Sequence, residues 1–251
     1  MQPSSQPIPA RVRLPGFAIA PAITDAACPE TTLAALDPDA ATFAVGRDAV
    51  IYAQDDTAQH CFRIVSGCVR TVKLMEDGRR HIDAFLLPGD WFGLEAPATQ
   101  AFAAEATMPT TLRRYPRHAF DRLVAEDVRL ARWLLGIVTA QLRAARAHAL
   151  ALGRNNSTER LAGFLLDMRR RLPQERDGAV VLPMSRGDMA DHLGITLETV
   201  CRGLSRFREN GVINLAAARL VVGNRAALAA LAGVVREARG DPGHSTRAAA
   251  A

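Results

Sequence analysis

Cysteine is scarce in this 251-residue chain: Cys28, Cys61, Cys68 and Cys201 are scattered, with no CxxC pair. That spacing argues against a disulfide-stapled secreted scaffold and against a structural zinc site. Lysine is nearly absent, Lys73 standing alone against 30 arginines. The bias suits a GC-rich genome as well as a need for bidentate phosphate contacts. No apolar run reaches the roughly 20 residues that a membrane helix requires. The stretch Met1–Arg13 is polar and Pro-rich, without the apolar core of a signal peptide. A cytoplasmic protein with no membrane partner is expected. Ser/His/Asp constellations and phosphate loops are also missing, so no catalytic residue is assigned and an enzyme is not expected.

What is present is unevenly distributed. The net charge is +5. Residues 1–153 carry 16 basic and 16 acidic side chains, whereas residues 154–251 carry 15 and 10. A local basic excess is the footprint of a module that binds a polyanion. Residues 1–40 hold seven of the 14 prolines and read as a disordered arm, and residues 240–251 as a disordered tail. Between Phe43 and Leu112 lie short β-branched runs: Val50–Tyr52, Cys61–Val65, Val69–Leu74 and Ile82–Leu87. Asp77-Gly78 between two of them is a hairpin signal, and Gly67, Gly78 and Gly89 recur at even spacing. An antiparallel barrel or jelly roll over 41–125 is predicted. A metal-dependent cupin-type enzyme on such a barrel would need clustered ligands such as an HxH pair, and His60 and His81 are isolated.

The period then changes. Val128, Ala131, Leu135, Val138, Leu142, Ala145, Ala149 and Leu152 follow one another at alternating spacings of three and four. This a/d seam predicts a long helix over 126–153, paired with another helix at a dimer interface; one long core helix in a monomer is the alternative. A second stripe, Leu130, Leu134, Ile137 and Gln141, suits packing on the chain's own barrel. Gly153 is expected to end the helix, and Asn156 or Ser157 to cap the next.

Arg186–Ser205 reads as a helix-turn-helix. Ala190 falls where two helices nearly touch, and Gly194 where the turn needs positive φ. Ser185 with Asp188 forms a capping-box-like start, and Thr196 can cap the second helix. Gly203 stands where a larger apolar residue is expected. Val212–Asn214 and Arg219–Val222 read as a two-stranded wing, within a DNA-binding domain over 154–239.

These motifs resemble the CRP/FNR superfamily of bacterial transcription regulators over about residues 43–233. The resemblance rests on Ile64–Arg70, on Asp77–Arg80, on Leu87–Glu95 (close to the FixK branch), and on Gly153-Arg154 with Glu159–Ala162. The stretch Leu197–Arg202 resembles the FNR/FixK reading motif Glu-x-x-Ser-Arg, with Cys201 in place of serine. The family fold is α+β: an N-terminal β-roll of the cyclic-nucleotide-binding type, a dimerising helix and a winged helix-turn-helix. The resemblance implies a homodimer on double-stranded DNA at a TTGAT…ATCAA-type palindrome. It also implies RNA polymerase as partner, and activation of low-oxygen or nitrogen-metabolism genes.

Glu198 and Arg202 lie four apart on one helical face, so both can reach base edges: Arg to guanine O6 and N7, Glu to cytosine N4. An i,i+4 salt bridge is the plainer reading of the same pair. Cys201 joins them as a base-contact candidate, and Arg186, Thr196, Arg206 and Arg208 as phosphate-contact candidates. Cys201 is also a candidate redox residue, or simply a small surface for a thymine methyl. The family's cyclic-nucleotide readers need an Arg-Ser pair for the phosphate, and Ala96–Thr111 contains no arginine. Too few cysteines cluster for an iron–sulfur centre. Haem or a small ligand held near His60, Cys61, Cys68 or His81 is the alternative to a regulator without cofactor.

Overall fold

The computed structural model describes residues 34–95 and 98–233. Most of the segment read as an arm, residues 1–33, lies outside the described residues, as does the tail. The arm does not extend to residue 40: Ala34–Asp39 form a 3-10 turn whose Leu36 is buried against Trp91, Tyr115 and Phe120.

Eight strands follow: β1 (Ala41–Val45), β2 (Val50–Tyr52), β3 (His60–Ser66), β4 (Val69–Leu74), β5 (Arg80–Leu86), β6 (Trp91–Phe92), β7 (Ala103–Ala106) and β8 (Thr110–Pro116). They pair antiparallel in two sheets, ordered β1-β8-β3-β6 and β2-β7-β4-β5. Phe62, Ile64, Val69, Leu86, Phe92 and Leu112 fill the space between them. Strand β4 is buried from Val69 to Val72 without alternation. One face looks into the roll and the other lies under the C-terminal domain, so Arg70 on that second face is buried too.

Helix α1 (Arg117–Glu126) closes the roll, and α2 (Val128–Arg154) runs from it as 27 unbroken residues. Asp127 starts α2 by accepting from the Arg129 amide. The helix passes Gly153 and ends at Arg154, with Asn155 as the cap. One stripe, Leu130, Trp133, Ile137, Ala144, His148 and Ala151, is buried against the chain's own body. Leu134 and Gln141 of the expected second stripe lie half-buried at its edge.

Helix α3 (Ser157–Arg171) starts from an Asn156–Glu159 capping box. Then come β9 (Val180–Val181), α4 (Arg186–Leu193), α5 (Leu197–Glu209), β10 (Ile213–Ala216), β11 (Arg219–Val222) and α6 (Arg225–Leu231). The wing is three-stranded, β9 adding to β10 and β11. A single apolar cluster joins Val72, Ile82 and Phe85 of the β4–β5 hairpin to Phe164 of α3 and Met189 of α4. The DNA-binding unit is therefore seated on its own β-roll.

Candidate nucleic-acid interface

Local chemistry builds the helix-turn-helix. Ser185 accepts from the Asp188 amide at 3.0 Å, and Asp188 returns the bond to the Ser185 amide at 3.0 Å. Gly194 stops α4 in the left-handed region at φ 60°, where a β-carbon is unfavourable. The Ile195 amide then bonds the Ala190 carbonyl at 3.2 Å, so the turn folds tightly over the small side chain. Thr196 caps α5 by accepting from the Thr199 amide at 3.2 Å.

Val200, Leu204 and Phe207 form the buried face of α5. Gly203 lies against α3: an added β-carbon would stand 2.6 Å from Leu161 Cδ2. Leu161 thus supplies from the neighbouring helix the bulk expected at position 203. On the opposite side of α5, at about 100° per residue, Glu198, Cys201, Arg202, Arg206 and Arg208 fall within one half of the circumference. Glu198 and Arg202 are 73% and 70% exposed and joined by a 3.3 Å salt bridge. An exposed pair of this kind stabilises the protein little, so both side chains are available to another partner. Arg206, Arg208, Arg186 and Thr196 are exposed, and Cys201 is half-buried. The Arg186 guanidinium, from the start of α4, stands 3.6 Å from the Cys201 sulfur. Five of the seven predicted contact residues thus lie on one half of α5, with Arg186 beside Cys201 and Thr196 at the helix start. Leu197, 52% exposed at the start of the same helix, was not singled out from the sequence, although its place directly after the Thr196 cap marks it.

The seam residues are a separate surface along α2. Val128, Leu135, Val138 and Leu142 are 65%, 66%, 46% and 49% exposed in the single chain. Ala145 and Ala149 are exposed, and Ala131 and Leu152 half-buried.

A Crp-like helix-turn-helix domain model matches residues 159–231, and a cyclic nucleotide-binding domain model matches residues 43–127. The nitrogen fixation regulation protein FixK of Azorhizobium caulinodans is 41% identical over 204 residues, covering 80% of this chain and 81% of the relative. FixK of Rhizobium meliloti is 40% identical, covering 72% and 81%. The chain belongs to the CRP/FNR family of transcription regulators. Among solved structures, FixK2 of Bradyrhizobium japonicum aligns with a TM-score of 0.73 at 42% identity, covering 76% of this chain and 96% of that one. This CRP/FNR protein is thus a DNA-binding regulator related to the FixK and FNR activators, not an enzyme.

A cavity of about 350 Å³, open on one side, lies between the roll and α2, and Val138, Leu142 and Ala145 of the seam form part of its rim. Thr71, Asp83, Glu95, Phe102, Gln141 and His148 contribute to its wall, and among the described residues neither arginine nor lysine lines it. Lost hydration raises the pKa of Asp83 and of Glu95, and Asp83 raises Glu95 further. His148 and His192 stack at 4.3 Å. Burial lowers them to about 4 and about 3, so both are neutral at pH 7. Burial also pushes the Cys61 and Cys68 thiols up to about 12. Each sulfur lies near a backbone carbonyl, of Tyr115 and Val69 respectively. Among the described residues no group of three or more His, Cys, Asp or Glu is arranged to hold a metal ion, and no helix is long and apolar enough to cross a membrane.

Proposed function

We propose that this regulator works in the cytoplasm as a homodimer on a TTGAT…ATCAA-type palindrome. Glu198, Cys201 and Arg202 read bases, while Arg186, Thr196, Arg206 and Arg208 hold phosphates. The observation that carries the reading is the pairing of two free surfaces: an exposed a/d seam on α2 and an exposed Glu198–Arg202 face on α5. The first brings two copies together and the second enters a major groove in each half-site. Bidentate Arg–guanine and Glu–cytosine contacts supply the base preference. By likeness to the FixK and FNR proteins, the bound dimer recruits RNA polymerase to genes of nitrogen metabolism or low-oxygen growth.

A largely apolar cavity whose titratable groups are Asp83, Glu95 and two neutral histidines offers no charge-assisted partner to a cyclic phosphate. The regulator on this reading needs no nucleotide and no cofactor. Selection of bound duplexes from random DNA tests the whole proposal. Enrichment of one two-fold symmetric site with a guanine and cytosine in each half supports it; enrichment of an unpaired half-site, or of no sequence, overturns it.

A further inference from the structure

The face of α4 turned away from the DNA side is built of charge. Asp188, Asp191 and His192, at i, i+3 and i+4, all look back at the β4–β5 hairpin. Asp188 is 3% exposed and divides its carboxylate between two tasks. Its Oδ2 closes the capping box on Ser185. Its Oδ1 accepts from Arg70 at 2.9 Å and from Arg80 at 3.0 Å, both on the roll. Asp191 accepts from Arg80 Nε at 2.9 Å. Arg70 is tied within the roll to Glu105 and Asp48. Alongside, His192 Nδ1 donates to the Ile82 carbonyl at 2.9 Å.

The clasp grips the helix-turn-helix from behind and leaves the Glu198–Arg202 face in water. It also completes a mechanical chain. On the dimer reading the α2 seam lies on the two-fold axis, and the roll is fixed to α2 through Leu130, Trp133 and Ile137. The clasp then fixes α4 to the roll, and the Gly194 turn fixes α5 to α4. Rotating the DNA-binding unit about Asn155-Asn156 would break both guanidinium bonds of Asp188 and part Val72, Ile82 and Phe85 of the hairpin from Phe164 and Met189, which is costly. One inserted base pair moves a half-site by about 3.4 Å and turns it by about 35°. A unit held this way cannot follow.

We infer that Arg80 and Asp191, with Arg70 and Asp188 behind them, are specificity-determining residues: they set which half-site spacing the dimer accepts. The inference rests on the dimer-and-palindrome reading above, and the test separates the two.

Arg80→Gln and Asp191→Asn are the variants of choice, because neither residue belongs to the capping box and both are partly exposed. Full-length wild type and variants are titrated with duplexes carrying the selected site, the same site with one base pair added to or removed from the spacer, and a single half-site. Wild type should lose about tenfold or more in affinity when the spacer changes. Both variants should shrink that penalty to about threefold or less while binding the half-site within about twofold of wild type. Arg80→Lys should restore most of the penalty, and the double variant should match Arg80→Gln, which already removes the Arg80–Asp191 bond together with the bond to Asp188. Unchanged spacer penalties in variants that bind the half-site normally overturn the inference. So does a parallel loss on every duplex, which would mark a merely structural role. Wild type that binds paired and single half-sites equally overturns the dimer reading itself.

Discussion

Replacing Leu135 by aspartate, alone and with Leu142→Asp, puts a charge where two copies of α2 are proposed to meet. Complete burial of a leucine is worth about 1.5–3 kcal/mol. Leu135 is 66% exposed and Leu142 49% exposed in the single chain, so about 1–2 and 0.7–1.5 kcal/mol remain to be gained on pairing. The two-fold axis doubles each contribution, and the pair together is worth about 3–7 kcal/mol. At about 1.4 kcal/mol per decade, that loss alone raises the dimer Kd by two to five orders of magnitude. Carboxylates facing each other across the axis add to it. The protomer should be spared, since a substitution on its wet surface usually changes stability by less than about 0.5 kcal/mol. Leu142 also lines the cavity near Asp83 and Glu95, which is why Leu135→Asp has to be measured by itself. Sedimentation velocity over a concentration series reads the assembly, a urea melt reads the fold, and DNA titration reads the consequence. A Leu135→Asp variant that melts as wild type does but sediments as a dimer at the same concentrations would refute the reasoning. So would a monomeric wild type that binds one palindrome at full affinity.

Arg202→Ala should cost roughly 1–3 kcal/mol and relax the preference at the half-site guanine, whereas Arg208→Ala should weaken all sequences alike and flatten the salt dependence; equal, sequence-independent losses at two salt concentrations would remove Arg202 as a reader. Oxidation of Cys201 to a sulfenic or sulfinic acid would add bulk beside Arg186 on the DNA face. Peroxide should then abolish binding in wild type but not in Cys201→Ser, and equal losses would leave Cys201 as a packing residue only. His192 and His148 have folded pKa values of about 3 and about 4, below the unfolded 6.5, so their stabilisation is complete above pH 6.5 and is lost as pH falls towards the folded values. Between pH 7 and 5 the pair therefore costs stability, while Asp167, lifted to about 6 by burial, and Asp83 and Glu95, also raised, return part of it. Urea melts should show that His192→Asn loses less stability than wild type between pH 7 and 5, and a variant that follows the wild-type profile would contradict the buried neutral pair.

The helix-turn-helix was legible because every one of its signals is local. Ser185, Asp188, Gly194 and Thr196 each act within three or four residues of the backbone groups they satisfy, so spacing alone reveals them. The two-faced nature of α2 was legible for a similar reason, since a regular period needs no knowledge of the partner. Trp133 was missed because the second stripe was traced through Leu134, although it is Trp133 that packs edge-on against Trp91 at 5.3 Å. Two-residue β9 carries no period, and Leu36 sits in a short stretch, Leu33–Leu36, with no sustained period; burial of either depends on a distant surface. Gly203 looked like a defect on its own helix and is explained only by Leu161 on another. The clasp is the extreme case. Its partners Arg70 and Asp188 are separated by 118 positions, and Arg80 and Asp188 by 108. No window along the chain contains both.

The same distance effect changes what the basic excess means. Divided at residue 153, the chain assigns 15 basic and 10 acidic groups to the DNA-binding side. Several of those arginines are engaged within the chain: Arg160 holds the Leu193 and Gly194 carbonyls at the turn, buried Arg171 holds Asp90, and Arg219 pairs with Glu175 and Asp177 on the exposed wing. Two of the acids, Asp188 and Asp191, are neutralised by Arg70 and Arg80, which the division counts with the roll. Beyond such pairs, Arg186, Arg202, Arg206 and Arg208 form an exposed group around the reading helix, with Glu198 and Glu209 as the exposed acids of that helix. The field a phosphate backbone meets depends on that surface and not on the segment total. On the proposed reading, the roll favours DNA binding electrostatically as well, by cancelling two acids on α4.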